Sequence, residues 1–306
     1  MKQIVYCLTG RGLYSELSNL ALAYCYARLN GYRLVVNTRR WNARLKHGLT
    51  DYFQPFFPEN QSLWTAQDKI FTLERPWVGK VYYNPQEFWR YWGQTMLNHL
   101  YGLFHPGTLF SKEAYYRMTS PTFLSPFSRE ALARELSASF RSFYRYNDEV
   151  AEAIRARRRT IGLEGPYMAV HVRRGDKISS GEMQNLALDT YIQHILAHLD
   201  VSRHIYIATD DVSILSYFQA RLSDKQVQLY YNTFSHQKGF DEKTFNAKSV
   251  EDVREDMLNM LFDMDMLIHA SCFIGTYSSN IGRIVPLYLG FERCHSVDEK
   301  WDMTYR

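Results

Sequence analysis

The seven residues His171-Val172-Arg173-Arg174-Gly175-Asp176-Lys177 concentrate the chemistry of this chain. Two adjacent guanidiniums, an ammonium and a carboxylate make a site for a phosphorylated, doubly charged ligand, because the planar fork of arginine pairs bidentately with phosphate oxygens. Asp176 can hold an arginine or a ligand hydroxyl in place. The apolar run Tyr167-Met168-Ala169-Val170 just before them reads as a buried strand. The charges therefore emerge at its carboxyl end, where open parallel α/β sheets bind ligands. A solvated charge run that closes a strand is the plain alternative.

Strands and helices alternate on both sides of this point. Near the amino terminus a strand over Gln3–Leu8 runs into Thr9-Gly10-Arg11-Gly12, then a helix from about Ser18 to Leu29 and a second strand, Leu34–Asn37. Gly10 and Gly12 let the backbone approach a phosphate at a helix N-terminus, or simply make a turn. Beyond the charged heptad, a helix over Asp189–Leu199 leads to the strand His204–Thr209 and its Asp210-Asp211; Asp211 is placed to cap a helix reaching Leu222. A strand over Val227–Tyr231 precedes the polar segment Asn232–Lys248, which reads as a loop able to close over a ligand. Ser249 opens a long helix with apolar residues at helical spacing (Val253, Met257, Leu261, Met264, Ile268). Asp263 lies within it, either buried and in need of a partner or on the helix surface. The strand Cys272–Thr276 then feeds Tyr277-Ser278-Ser279-Asn280 and a helix carrying Arg283. Because the βα pattern starts twice, two Rossmann-like domains facing across a cleft are predicted, over residues 1–160 and 161–306.

Bulk properties narrow the classes. With 306 residues, 46% hydrophobic and 22% charged, the chain is globular. A net charge of +4, with charges interspersed, gives no nucleic-acid footprint. Cys7, Cys25, Cys272 and Cys294 lie far apart in apolar stretches and read as buried free thiols. The apolar opening is too short for a signal peptide, and no window has the length of a membrane span, so a cytoplasmic location is expected. A helix from Asn147 or Asp148 to about Thr160 carries Arg155, Arg157, Arg158 and Arg159, a solvated face or, as the minority reading, an attraction for an anionic membrane or glycolipid.

His-x-Arg-Arg-x-Asp-Lys resembles the signature of the α1,6-fucosyltransferase family. Three further segments resemble it in order and spacing: Tyr206-Ile207-Ala208-Thr209-Asp210-Asp211, Ile274-Gly275-Thr276-Tyr277-Ser278-Ser279-Asn280 with Arg283, and His295-Ser296-Val297-Asp298. In the amino-terminal half the resemblance is confined to the glycine turn and to Trp41 with Asp51-Tyr52-Phe53. It implies a GT-B-like glycosyltransferase that moves fucose from GDP-fucose to a glycan acceptor with inversion and without a metal ion. Something other than a metal must then meet the charge developing on the departing diphosphate, and Arg173 is the expected cation. Arg174 and Lys177 complete the positive pocket, Ser278 and Ser279 donate to the same phosphates, and Asp176 and Arg283 belong to the site. By the same resemblance His171 and Asp263 contact guanine, Asp210, Asp211 and Trp41 contact donor or acceptor sugar, and the amino-terminal domain is the acceptor side.

Asp263-Met264-Asp265 mimics a metal-binding DxD, but within a helix those carboxylates point to different faces. An inverting transfer also needs a base. Glu182 is the nearest match to the family's glutamate, one residue beyond its spacing in the animal enzymes, with Asp210 and Asp211 as alternatives. The rings Tyr82, Tyr83, Phe88, Trp89, Tyr91 and Trp92 either stack an acceptor's sugars or pack a core. Rival readings are an α1,2- or other-linkage fucosyltransferase, a transferase for another GDP-sugar, and a non-catalytic GDP-sugar-binding protein. The chain ends just past His295-Ser296-Val297-Asp298, which fits a bacterial surface or signalling glycan better than an N-glycan core.

Overall fold

The computed structural model describes residues 2–67, 85–174, 186–235 and 242–302. The chain divides into two compact units, Met1–Asn147 and Asp148–Arg306.

In the first unit, β1 (Gln3–Cys7), α1 (Leu13–Leu29) and β2 (Arg33–Asn37) form a βαβ unit, followed by β3 (Glu59–Asn60), α2 (Pro85–Phe104), β4 (Thr108–Phe110), α3 (Ser111–Met118), α4 (Pro121–Leu124) and α5 (Arg129–Phe143). The sheet is parallel throughout, in the order β3-β2-β1-β4. β1 is central and therefore apolar on both faces: Ile4, Val5, Tyr6 and Cys7 are all buried. α1 is buried along most of its length, packed against the sheet and α5. Its end is set by Gly31 at φ 68°, the left-handed conformation that lets the Tyr32 amide return to the Ala27 carbonyl at 2.9 Å.

The second unit contains α6 (Asp148–Ile161), β5 (Met168–Val172), α7 (Leu188–Ala197), β6 (His204–Thr209), α8 (Leu215–Leu222), β7 (Gln228–Tyr231), α9 (Glu242–Asn246), α10 (Val250–Ile268), β8 (Cys272–Gly275), α11 (Asn280–Ile284), α12 (Pro286–Leu289) and β9 (Cys294–Ser296). Its five parallel strands run β7-β6-β5-β8-β9. Counted from the unit's own first strand this order is 3-2-1-4-5, the doubly wound arrangement, so the order reverses between β5 and β8. Met168, Val170, Val172, Ile205 and Ile207 face α7 and α8 in one core, while α10 packs over β5 and β6.

The division falls thirteen residues before the expected 160/161 boundary because α6 belongs to the second unit. Arg157 donates to Asn259 Oδ1 at 2.8 Å and lies 4.7 Å over the Phe234 ring, and Arg158 reaches Asp265 at 2.6 Å. Arg157 and Arg158 thus fasten α6 to α10, while Arg155 and Arg159, 58% and 66% exposed, keep the expected solvated face and pair with Glu152. All four cysteines are buried and unbridged, and burial pushes the thiols of Cys25 and Cys272 up to about 11.

Candidate functional site

The strand order directs a ligand to the carboxyl ends of β5 and β8, and His171, Arg173 and Arg174 lie at or just beyond the end of β5. β5 pairs with β6 so that Val172 faces Thr209, which carries Asp210 beside the arginines. Arg173 Nη1 is 3.0 Å from Asp210 Oδ2, and the Arg174 amide donates to the other oxygen, Oδ1, at 2.7 Å. Asp210, expected to contact a sugar, is thus turned toward the arginine segment and fixes its direction. Asp211 takes the capping alternative, accepting from the Ser213 amide at 3.0 Å. Asp176, Lys177 and Glu182 lie outside the described residues.

His171 is buried on the sheet face that also carries Tyr206, since Ala169 pairs with Tyr206 and His171 with Ala208. Burial pushes its imidazole down to about 4, with Arg173 adding to the effect against the opposing pull of Asp210, so the ring is neutral at physiological pH. Among the described residues its Nδ1 has no hydrogen-bond partner. Asp263 projects from α10 onto the same face and accepts a 2.6 Å hydrogen bond from the Tyr206 hydroxyl, which excludes the helix-surface reading. Burial raises its carboxyl to about 7, against the hydrogen bonds of Tyr206 and Asn232 and the Arg157 charge. Asp265, two residues on, instead faces Arg158 and His269, so the two carboxylates of the DxD-like triplet do not converge.

The third wall is the turn after β8. Asp298 braces it, accepting from the amides of Tyr277 at 2.8 Å and Ser278 at 3.2 Å and from the Ser296 hydroxyl at 2.7 Å; these donors hold its carboxyl below the usual range. The Ser278 amide, expected to face phosphate, is occupied by Asp298, and Ser279, buried, precedes α11 without a side-chain cap. Arg283 is buried with one Nη 3.3 Å from Glu299, and its carbonyl accepts from Trp301 Nε1. The sequence reading passed over both Asp298 as a brace and Gly282. A Cβ at Gly282 would stand 1.9 Å from the Thr276 carbonyl oxygen, so only glycine lets α11 close against the turn. Gly282→Ala is expected to cost about 3 kcal/mol of stability, measured by denaturant unfolding, as the turn shifts to relieve the clash.

In the first unit Gly12 is the N-cap of α1 at φ −58°, a conformation open to any residue, and a Cβ there would meet nothing within 4 Å. The preceding loop is organised by Glu16, which the sequence reading also missed: wholly buried, it accepts from the Thr9 amide at 3.1 Å and hydroxyl at 2.5 Å, with Arg11 3.9 Å away. Burial raises its carboxyl, and Oε2 has no hydrogen-bond partner among the described residues. The only advance signal was its place four residues after Gly12. Trp41 corrects an expectation: it is 3% exposed and packed edge-on against Tyr52 at 5.9 Å, so its ring is core and cannot stack a sugar.

Two parallel α/β units, with cationic, carboxylate and hydroxyl groups at the switch point of the second, make the GT-B-like class of fold. The model of the alpha-(1,6)-fucosyltransferase N- and catalytic domains matches residues 135–289, just over half of the chain, and the chain belongs to that family of fucosyltransferases. Among solved structures it is similar to the fucosyltransferase NodZ from Bradyrhizobium (17% identity, 94% of this chain and 93% of that one covered, TM-score 0.57). It is likewise similar to NodZ soaked with GDP-fucose (16%, 94% and 93%, 0.55) and to POFUT1 in complex with GDP (14%, 96% and 98%, 0.56). At these identities the likeness is one of fold. No curated protein sequence matches the chain.

Proposed function

We propose that this enzyme transfers fucose from GDP-fucose to a hydroxyl of a glycan acceptor, in an α1,6 linkage, with inversion and without a metal ion. The observation that carries the reading is the Arg173–Asp210–Arg174 clasp at the switch point, on the strand that also presents neutral, buried His171. A guanidinium held in advance of the reaction can meet the charge that develops on the β-phosphate without reorganising. Arg174, Lys177, Ser278 and Ser279 surround the diphosphate, with Arg283 behind the turn; Asp263 takes the N1–H and N2–H of guanine and His171 contacts the base. Asp176 holds the arginine segment, Glu182 removes the acceptor proton, the Gly10–Gly12 loop approaches the donor phosphates, and the first unit otherwise receives the acceptor.

GDP and GDP-fucose are ligands of the similar structures, which supports the donor assignment by likeness. The test is calorimetric titration with GDP, ADP and UDP in EDTA. GDP is expected to bind at least about tenfold more tightly than either competitor, consistent with one bidentate base contact. Equal binding of all three, or a requirement for a divalent ion, would overturn the donor site. Selective binding without turnover on any glycan would favour the non-catalytic rival, and linkage analysis of the product separates α1,6 from α1,2 transfer.

A further inference from the structure

α2 is built inside out. Its protein-facing side carries Gln94 and Asn98, both buried: Gln94 donates to the Leu63 carbonyl and Asn98 to the Trp64 carbonyl, each at 2.8 Å, while Gln67 donates to Asn98 Oδ1 at 2.9 Å. Its outward side carries Trp89 (71% exposed), Trp92 (52%), Met96 (60%), Leu103 (64%) and Phe104 (80%). Trp64 and Leu63, whose carbonyls the inward amides hold, are themselves 50% and 44% exposed. From Trp89 to Phe104 the face is about 22 Å long, far more than a sugar-stacking ring needs. The inward amides bond the 63–67 segment and Tyr101 meets the Phe110 ring edge-on at 6.2 Å, while the most exposed apolar side chains of the helix lie on the outward side.

We propose that this face seats the enzyme on an anionic lipid surface. Large exposed apolar faces mark interaction sites, and tryptophan with leucine and phenylalanine on one side of a helix is the pattern that enters the headgroup boundary. Charge selects lipid over a second copy of the chain. Residues 1–147 hold 18 lysines and arginines against 9 acidic residues, whereas residues 148–306 hold 18 against 23. The net +9 of the first unit is hidden in the +4 of the whole chain. Exposed Arg90, His99 and His105 lie on α2 or just after it, and no acidic side chain interrupts the outward face among its described residues. A +9 unit repels its own copy and is attracted by anionic headgroups.

The test is flotation of the full chain with vesicles of phosphatidylcholine alone and with about one-third phosphatidylglycerol. The wild type is expected to partition to the anionic vesicles at least about tenfold better than to the neutral ones, and Trp92→Ser/Leu103→Ser/Phe104→Ser to lose at least about tenfold of that partition. All three residues are exposed, so unchanged circular dichroism and unchanged GDP binding by the second unit show that the variant is folded. Failure of the wild type to float with anionic vesicles, or equal flotation of the variant, would overturn the proposal. So would a dimer in sedimentation that the variant converts to monomer without any vesicle binding, since that result gives the face to a second copy.

Discussion

Arg173→Ala is expected to lower kcat with GDP-fucose by about a hundredfold to a thousandfold, the range for loss of one preorganised donor to a developing anion. The guanidinium is fixed before any ligand arrives: Asp210 holds it at 3.0 Å, and Asp210 is itself held by the Arg174 amide at 2.7 Å. The charge on the leaving diphosphate is greater in the transition state than in bound GDP-fucose, so the loss falls on kcat more than on KM. Arg173→Lys restores the charge without the planar fork and is expected to recover only part of the rate. Asp210→Asn keeps an oxygen for the Arg174 amide but removes the counter-charge that aims Arg173. A positioning role predicts a lower kcat with GDP affinity retained or improved, because a partner competing with phosphate has been weakened. Arg173→Ala with kcat within about threefold of wild type would remove Arg173 from the reaction.

The parts of this site that could be read from the sequence are those whose signal is local. An apolar run followed by charges placed Arg173 and Arg174 at a strand end, and the structure puts them at the end of β5. Ser249 announced the start of α10, and its hydroxyl accepts from the Asp252 amide at 3.1 Å. Pairings across long sequence separations gave no such signal. Asp210 lies 36 residues beyond Arg174, and only the parallel register of β5 and β6 brings them together. Asp298 is 20 residues beyond Ser278, joined to it through the β8–β9 pair. Trp41 was misjudged because a ring's chemical type does not say whether it is buried: the same residue type is core at position 41 and solvent-facing at position 89. β3, with two residues, and β4, with three, are too short for an apolar period, so their places in the first sheet had no pattern to betray them. The inverted polarity of α2 was hidden for a different reason: its tryptophans and amides have ordinary helical spacing, and which side faces the protein is decided by the 63–67 backbone.

Asp263 makes the other large prediction, in which stability and affinity move in opposite directions. Burial raises its carboxyl from the ordinary 3.8 to about 7 in the folded, ligand-free protein. Between those values the folded state keeps a proton that the unfolded state has released, so stability falls as pH rises from about 4 to about 7, and the whole penalty is present above 7. Asp263→Asn removes the penalty and keeps an oxygen for the Tyr206 hydroxyl. It is therefore expected to raise stability at pH 8 by about 2–4 kcal/mol and to leave it nearly unchanged at pH 4, measured by urea unfolding at both values. Guanine, by contrast, needs the carboxylate as a double acceptor for N1–H and N2–H. GDP affinity should then fall about tenfold per unit as pH drops below 7, with a proton released on binding that calorimetry in two buffers of different ionisation heat can count. The asparagine variant should bind GDP about a hundredfold more weakly at pH 8 with no such pH dependence, because an amide offers one acceptor where guanine presents two donors. A variant that is more stable yet still binds GDP with wild-type affinity and pH profile would leave Asp263 as a strained structural carboxylate and move guanine recognition elsewhere.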